Sequence, residues 1–240
     1  MSFPKNKDYC CIIDNLLYYG DKKLASKDDE LIKLGIKAIV CLLPIKKQIY
    51  HNEDYFSVLN INTEDFVTCS LNEWADKTSD FIEDNINNNK PVYVHCLHGI
   101  SRSTSCILHY LISKKNMNLK DSFNLVRTKR SVAAPTIGFF KDLIDYEKKK
   151  FGNNSMTLTE YSLLMIKENF PSLDANEIEN VYYKYEKLYT IGLKKDEYKD
   201  EMEKQKHEPI GFHTIEELIN GKGKGKFKGR RGGGIHHPFD

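Results

Sequence analysis

Apolar residues fall along the chain in two patterns: short compact runs, and recurrences three and four positions apart. Residues 36–43 (IKAIVCLL) form a near-continuous apolar run, rich in β-branched side chains and closed by Pro44. That pattern predicts a strand buried on both faces. Residues 10–20 (CCIIDNLLYYG) predict two short strands that turn at Asp14-Asn15. A short helix is expected around Leu31 and Leu34, ending near Gly35. Val58, Leu59 and Ile61 place another strand at 57–61. Trp74, Thr78, Phe81, Ile82 and Ile86 share one face of a 3.6-residue period, and 87–91 (NNNKP) breaks that helix. Residues 92–95 (VYVH) then read as a short strand, followed by amphipathic helices at 103–115, 119–129 and 138–149. Strands alternating with helices predict an α/β fold: a central, mainly parallel sheet with helices on both faces.

After a linker-like stretch at 151–155 (FGNNS) the strand pattern stops. Residues 161–170 and 177–189 read as two helices, with Asp174 and Glu177 forming a helix-start signal. Residues 190–208 are highly charged, and 221–234 is a Gly/Lys/Arg run of low complexity that composition assigns to disorder. The expected organisation is an α/β domain over 1–150, a helical C-terminal appendage over 156–206 and a charged tail over 207–240.

Composition narrows the function classes. With 40% apolar and 29% charged residues in 240, wholesale disorder is excluded. No apolar run approaches the roughly 20 residues of a membrane span. The opening MSFPKNKDYCCIID lacks an apolar signal core, so the expected location is the cytoplasm, with the nucleus as the alternative. Six cysteines without a CxxC pair argue against both a disulfide scaffold and a zinc ribbon. The net charge of +2 is uneven: residues 221–235 carry six basic residues and no acid, while 1–220 hold 30 basic against 33 acidic. The basic run suits contact with a polyanion, or a solubilising or localising role.

The most informative stretch is 92–103, VYVHCLHGISRS. A buried strand delivers Cys96 to its C-terminal end, a loop of five residues follows, and Arg102 opens a helix. Such a loop aims several backbone N–H groups at one point, and the helix dipole adds to them, which makes an anion site. A guanidinium at its rim can hold two phosphate oxygens at once. Gly99 permits the tight curl. The same field favours a thiolate, so the ionisation of Cys96 is expected well below the free value of about 8.5. Nucleophile and phosphate cradle on one loop suit phosphoryl transfer through a phosphocysteine, with no metal or cofactor.

On these residues the sequence resembles the dual-specificity branch of the cysteine-dependent protein tyrosine phosphatases. His95-Cys96, five residues, then Arg102-Ser103 is similar to that family's signature, and Gly99-Ile100-Ser101-Arg102-Ser103 to its dual-specificity form. The resemblance spans about 10–150, including 16–20, Gly35-Ile36, Phe81-Ile82 and Pro135 with Gly138-Phe139. It implies a phosphatase acting on phosphotyrosine, and on phosphoserine or phosphothreonine, in a phosphorylated protein. It implies Cys96 as nucleophile and a phosphate cradle of Leu97, His98, Gly99, Ile100, Ser101 and Arg102. Ser103 would donate to the departing thiolate, and His95 would orient the loop. The family's general acid lies on a loop roughly 30 residues earlier. Asp65, 31 residues before Cys96 and at the exit of the strand 57–61, takes that place, with Glu64 as the alternative. Asp76 and Asp80 fall within a helix. The loop carries no lysine, which disfavours inositol phosphates, and Thr136 stands where asparagine is common.

Other features have plainer readings. Cys41 could pair with Cys96 under oxidation, but a core cysteine is the simpler role. Tyr182, Tyr185 and Tyr189 fit a helix packing face. Asn153-Asn154-Ser155 matches a glycosylation acceptor without a secretory context. The Phe170-Pro171 turn between the two late helices faintly resembles CUE-type ubiquitin-binding bundles, which makes ubiquitin a candidate partner at 161–189. The rival functions are an RNA 5′-phosphatase on the same fold and a phosphoprotein-binding pseudophosphatase.

Overall fold

The computed structural model describes residues 8–44, 52, 54–66, 69–169, 171–180 and 182. The chain divides into two units, Met1–Asp174 and Ala175–Asp240. The tail at 207–240, its basic run, Tyr185 and Tyr189 lie outside the described residues.

In the first unit, β1 (Tyr9–Ile13) and β2 (Leu17–Gly20) form an antiparallel hairpin whose turn holds Asn15 at φ 59°. Asn tolerates this left-handed conformation better than most residues. Two short helices follow, α1 (Lys22–Ala25) and α2 (Asp28–Lys33). The α1 helix escapes the apolar pattern; its start is fixed by Asp21, whose carboxylate accepts from Lys23 N and Leu24 N. Gly35, at φ 76°, ends the α2 turn as expected. The remaining strands are β3 (Ala38–Leu42), β4 (Ser57–Ile61) and β5 (Val92–His95), and the sheet order is β1-β2-β5-β3-β4. All neighbours except β1 and β2 are parallel, so the mainly parallel sheet is as expected. Central β5 is buried along its whole length.

Strand alternation sorts side chains between two apolar layers. Tyr18, Ile39 and Tyr93 face Leu24, Ala25, Leu31, Ile36 and Phe56. Leu17, Tyr19, Val40, Leu42, Val92 and Val94 face the larger helical layer. That layer holds α3 (Ala75–Asn87), α4 (Arg102–Lys115), α5 (Leu119–Lys129) and α6 (Ile137–Phe151). The α4 helix is buried from Arg102 through Ile112, and small residues such as Ser103, Thr104 and Ser105 let it approach the sheet closely. It runs directly from the end of β5, so the buried strand and the buried helix hold the intervening loop from both ends.

A further helix, α7 (Leu158–Asn169), which the sequence assigns to the helical appendage over 156–206, packs on this unit. Tyr161 stacks on Phe140 with ring centroids 3.7 Å apart and donates its hydroxyl to Pro135 O. Glu168 pairs with Arg127. The linker-like stretch is a capped turn: Ser155 N and Oγ both donate to the buried carboxylate of Glu147. No helix among the described residues is long and apolar enough to cross a membrane.

Candidate active site

The C-terminal end of β5 brings Cys96 to the mouth of the loop that enters α4. Its side chain is buried, and its sulfur has two partners: Ser103 Oγ at 3.2 Å and the Gly99 N–H at 3.3 Å. Both can donate to a thiolate, and both lie at the positive end of the α4 dipole. Gly99 has φ 66°, a conformation that disfavours side chains, and a Cβ there would stand 2.5 Å from the Gly20 carbonyl carbon. Loop and β2 therefore approach as only glycine allows.

Arg102 is 5% exposed and directs its guanidinium back across the site. One terminal nitrogen donates to Thr63 O at 3.1 Å, and Nε lies 3.5 Å from Asp65 Oδ2. Asp65 thus reaches the rim of the cradle from the loop after β4. Its other oxygen accepts from Ser101 Oγ at 2.6 Å. Ser101 Oγ in turn accepts from Thr136 N at 2.9 Å, at the start of α6. A backbone N–H can only donate, so the single serine hydrogen is left for Asp65. Burial pushes the Asp65 carboxyl above its ordinary value, while the Arg102 charge and the Ser101 hydrogen bond pull it back. Glu64, the adjacent alternative, is exposed.

The structure thus brings Cys96, Ser103, Gly99, Ser101, Arg102 and Asp65 together. His95 is fully buried beside the loop, its Nδ1 donating to Cys96 O at 3.3 Å and its ring stacked on Tyr93. Leu97 and Ile100 are half-buried and His98 is exposed. Asp76 and Asp80 sit on α3 and face α4, Asp76 toward His109 and Asp80 toward Lys114. Cys41 is a buried cysteine on β3, in register with His95. Among the described residues no group of three His, Cys, Asp or Glu side chains could hold a metal ion.

Several supporting residues are absent from the sequence reading. Asp142 on α6 accepts from Ser70 Oγ and Leu71 N at 3.0 and 2.8 Å, which anchors the far end of the chain segment that carries Asp65. Thr63 holds Arg102 through its carbonyl, and Arg130 reaches the outer side of the loop. These contacts run between residues 31 to 72 positions apart, and no local pattern marks them.

Known proteins resemble this chain over the region that carries the site. The family model for the dual-specificity phosphatase catalytic domain matches residues 17–149. Human dual specificity protein phosphatase 6 is 32% identical over 132 residues, covering 55% of this chain and 35% of that protein. The chain therefore spans about a third of the length of that relative. Putative tyrosine phosphatase 123R of Invertebrate iridescent virus 6 is 35% identical over 106 residues, covering 44% of this chain and 75% of that protein. Among solved structures, human tyrosine phosphatase-like serine/threonine/tyrosine-interacting protein superposes with a TM-score of 0.57 at 25% identity, over 60% of this chain and 99% of that one. A mouse putative dual specificity phosphatase complexed with zinc tungstate shares the fold at 0.56 and 23% identity, over 62% and 92%.

Proposed function

Because the chain belongs to the dual-specificity phosphatase family, we propose that it hydrolyses phosphotyrosine in phosphorylated proteins, with phosphoserine and phosphothreonine as further substrates, through a phosphocysteine. The observation that carries this reading is the Cys96 sulfur, met by the Ser103 hydroxyl and the Gly99 N–H at the start of α4, with Asp65 at the rim of the same loop.

The residues divide the work. The Cys96 thiolate attacks phosphorus and forms an S–P bond as the ester P–O bond breaks. Arg102 and the inward-facing loop amides hold the remaining phosphoryl oxygens. Asp65, protonated, gives its proton to the leaving phenolate or alkoxide. In the second step Asp65, now a carboxylate, takes a proton from water as the water oxygen bonds to phosphorus. The S–P bond breaks, inorganic phosphate leaves, and Ser103 donates a hydrogen bond to the returning thiolate. His95 holds the loop backbone at Cys96. The basic run at 221–235 enters this reading as a candidate polyanion contact that tunes where the enzyme acts, not how.

The test compares Cys96→Ser with the wild type on an aryl phosphate, a phosphotyrosyl peptide and a 5′-triphosphorylated RNA. The expected outcome is turnover of the first two by the wild type and none by Cys96→Ser. Retained activity in the variant would overturn the phosphocysteine. A wild type that prefers the RNA end would reassign the substrate.

A further inference from the structure

The outward side of the cradle is held as completely as the inward side is left open. Each backbone carbonyl from Cys96 to Ser101 has a donor of its own. Cys96 O accepts from His95 Nδ1 at 3.3 Å. Leu97 O accepts from Lys22 N at 3.3 Å, and Ile100 O from Ala134 N at 2.9 Å. Ser101 O accepts from Ser105 N and Ser105 Oγ. The two carbonyls at the tip, His98 O and Gly99 O, have the same partner: Arg130, through Nη2 at 3.1 Å and Nε at 2.8 Å.

A trans peptide is planar, with its C=O and the next residue's N–H pointing in opposite directions. Pinning the His98 carbonyl outward therefore turns the Gly99 N–H inward, and pinning the Gly99 carbonyl outward does the same for Ile100. The Gly99 N–H indeed meets the Cys96 sulfur. Arg130 is 7% exposed and lies against the face of Tyr19, with its guanidinium carbon 6.0 Å from the ring centroid. A β-carbon on Gly99 would come within 2.9 Å of its Nη2, so guanidinium, loop and β2 are in mutual contact. The guanidinium's rigid planar fork suits two adjacent carbonyls in a way that a lysine ammonium cannot reproduce.

We infer that Arg130 is a positioning residue for oxyanion binding: it touches no phosphate, but it sets two of the loop amides that do. This deepens the proposed phosphatase reading and rests on the same site. Donors aimed in advance at an anion are worth most when they need no reorganisation, and losing or misaiming one costs about 10²-fold.

The experiment measures tungstate affinity by calorimetry for the full chain, for Arg130→Met and for Arg130→Lys, alongside kcat and KM on an aryl phosphate. Thermal midpoints are recorded so that all are compared well below unfolding. Arg130→Met should bind tungstate about 10- to 100-fold more weakly and raise KM, and Arg130→Lys, which keeps the charge but not the fork, should fall between. A residue that only stabilises the fold would lower the midpoint and leave the tungstate affinity of the folded protein unchanged. That result would overturn the inference, as would an Arg130→Lys variant indistinguishable from the wild type when Arg130→Met does not fold. A wild type that binds tungstate but hydrolyses no phosphoester would instead defeat the proposed function and leave the role of Arg130 standing.

Discussion

Removing one hydroxyl, in Ser101→Ala, isolates how the acid is tuned. In the native site Ser101 Oγ accepts from Thr136 N and gives its only hydrogen to Asp65 Oδ1 at 2.6 Å. A hydrogen bond to a carboxylate is worth about 1.5–3 kcal/mol, and about 1.4 kcal/mol equals one pH unit of ionisation. The Asp65 side chain is still 30% exposed, so water replaces part of the lost donor and the lower end applies. The bond favours the charged form, so losing it moves Asp65 ionisation further up, in the direction burial has already pushed it, by about one unit. In its proposed role as general acid Asp65 must be protonated, so the alkaline limb of activity should shift to higher pH by that amount. The assay is kcat/KM for an aryl phosphate across pH, which reports the free enzyme. The plateau should fall because Asp65 loses a tether, and Thr136 N loses an acceptor, at a stability cost of about 1–3 kcal/mol. An alkaline limb that stays in place or moves to lower pH would refute the reasoning.

Two further outcomes are expected. Asp65→Asn should lower turnover by about 10²–10⁴-fold for a phosphotyrosyl substrate and by much less for an ester with a strongly acidic leaving group, whereas Glu64→Gln should leave the alkaline limb in place; the reverse pattern in the pH profiles would move the acid by one residue. His109, buried between Ser79 and Asp76, is held neutral with its ionisation pushed down to about 4, chiefly by burial. Its unfolded form takes up a proton near 6.5 and its folded form does not, so stability is full above that pH and declines as pH falls toward 4, by up to about 3 kcal/mol. Thermal midpoints at pH 7 and 4.5 should therefore drop less in His109→Gln than in the wild type, and equal drops would exclude this account.

What the sequence reveals of this molecule follows from how local each cause is. The strands β3 and β5 are legible because a parallel strand buried on both faces must be a continuous apolar run. The helix α3 is legible because Trp74, Thr78, Ile82 and Ile86 are all buried on one stripe. Cys96, Arg102 and Ser103 are legible because a loop of only five residues joins the strand-end cysteine to the arginine, and a helix start fixes their geometry. Asp65 is reached only through spacing from two anchors. Arg130, Asp142 and Thr63 leave no trace, since each acts through one or two hydrogen bonds to residues distant in sequence, and any loop arginine, helix aspartate or threonine reads alike. The short helix α1 escapes because one capping aspartate, not an apolar period, begins it. The helix α7 is visible as a helix, but its attachment is not, because an amphipathic stripe does not say which core it covers.

That attachment separates the unit of ancestry from the unit of mechanics. The family match ends at residue 149, yet Pro135, whose neighbours Ala134 and Thr136 hold Ile100 and Ser101, is itself held by the hydroxyl of Tyr161 on α7. A chain trimmed to the shared segment would keep every side chain of the proposed phosphate site. It would lose the aromatic plate that covers Phe140 and the bond that steadies the floor beneath the acid and the cradle. Its chemistry would be intact, and its grip would be looser. The inherited catalytic sequence is in this sense shorter than the body that keeps it in working shape.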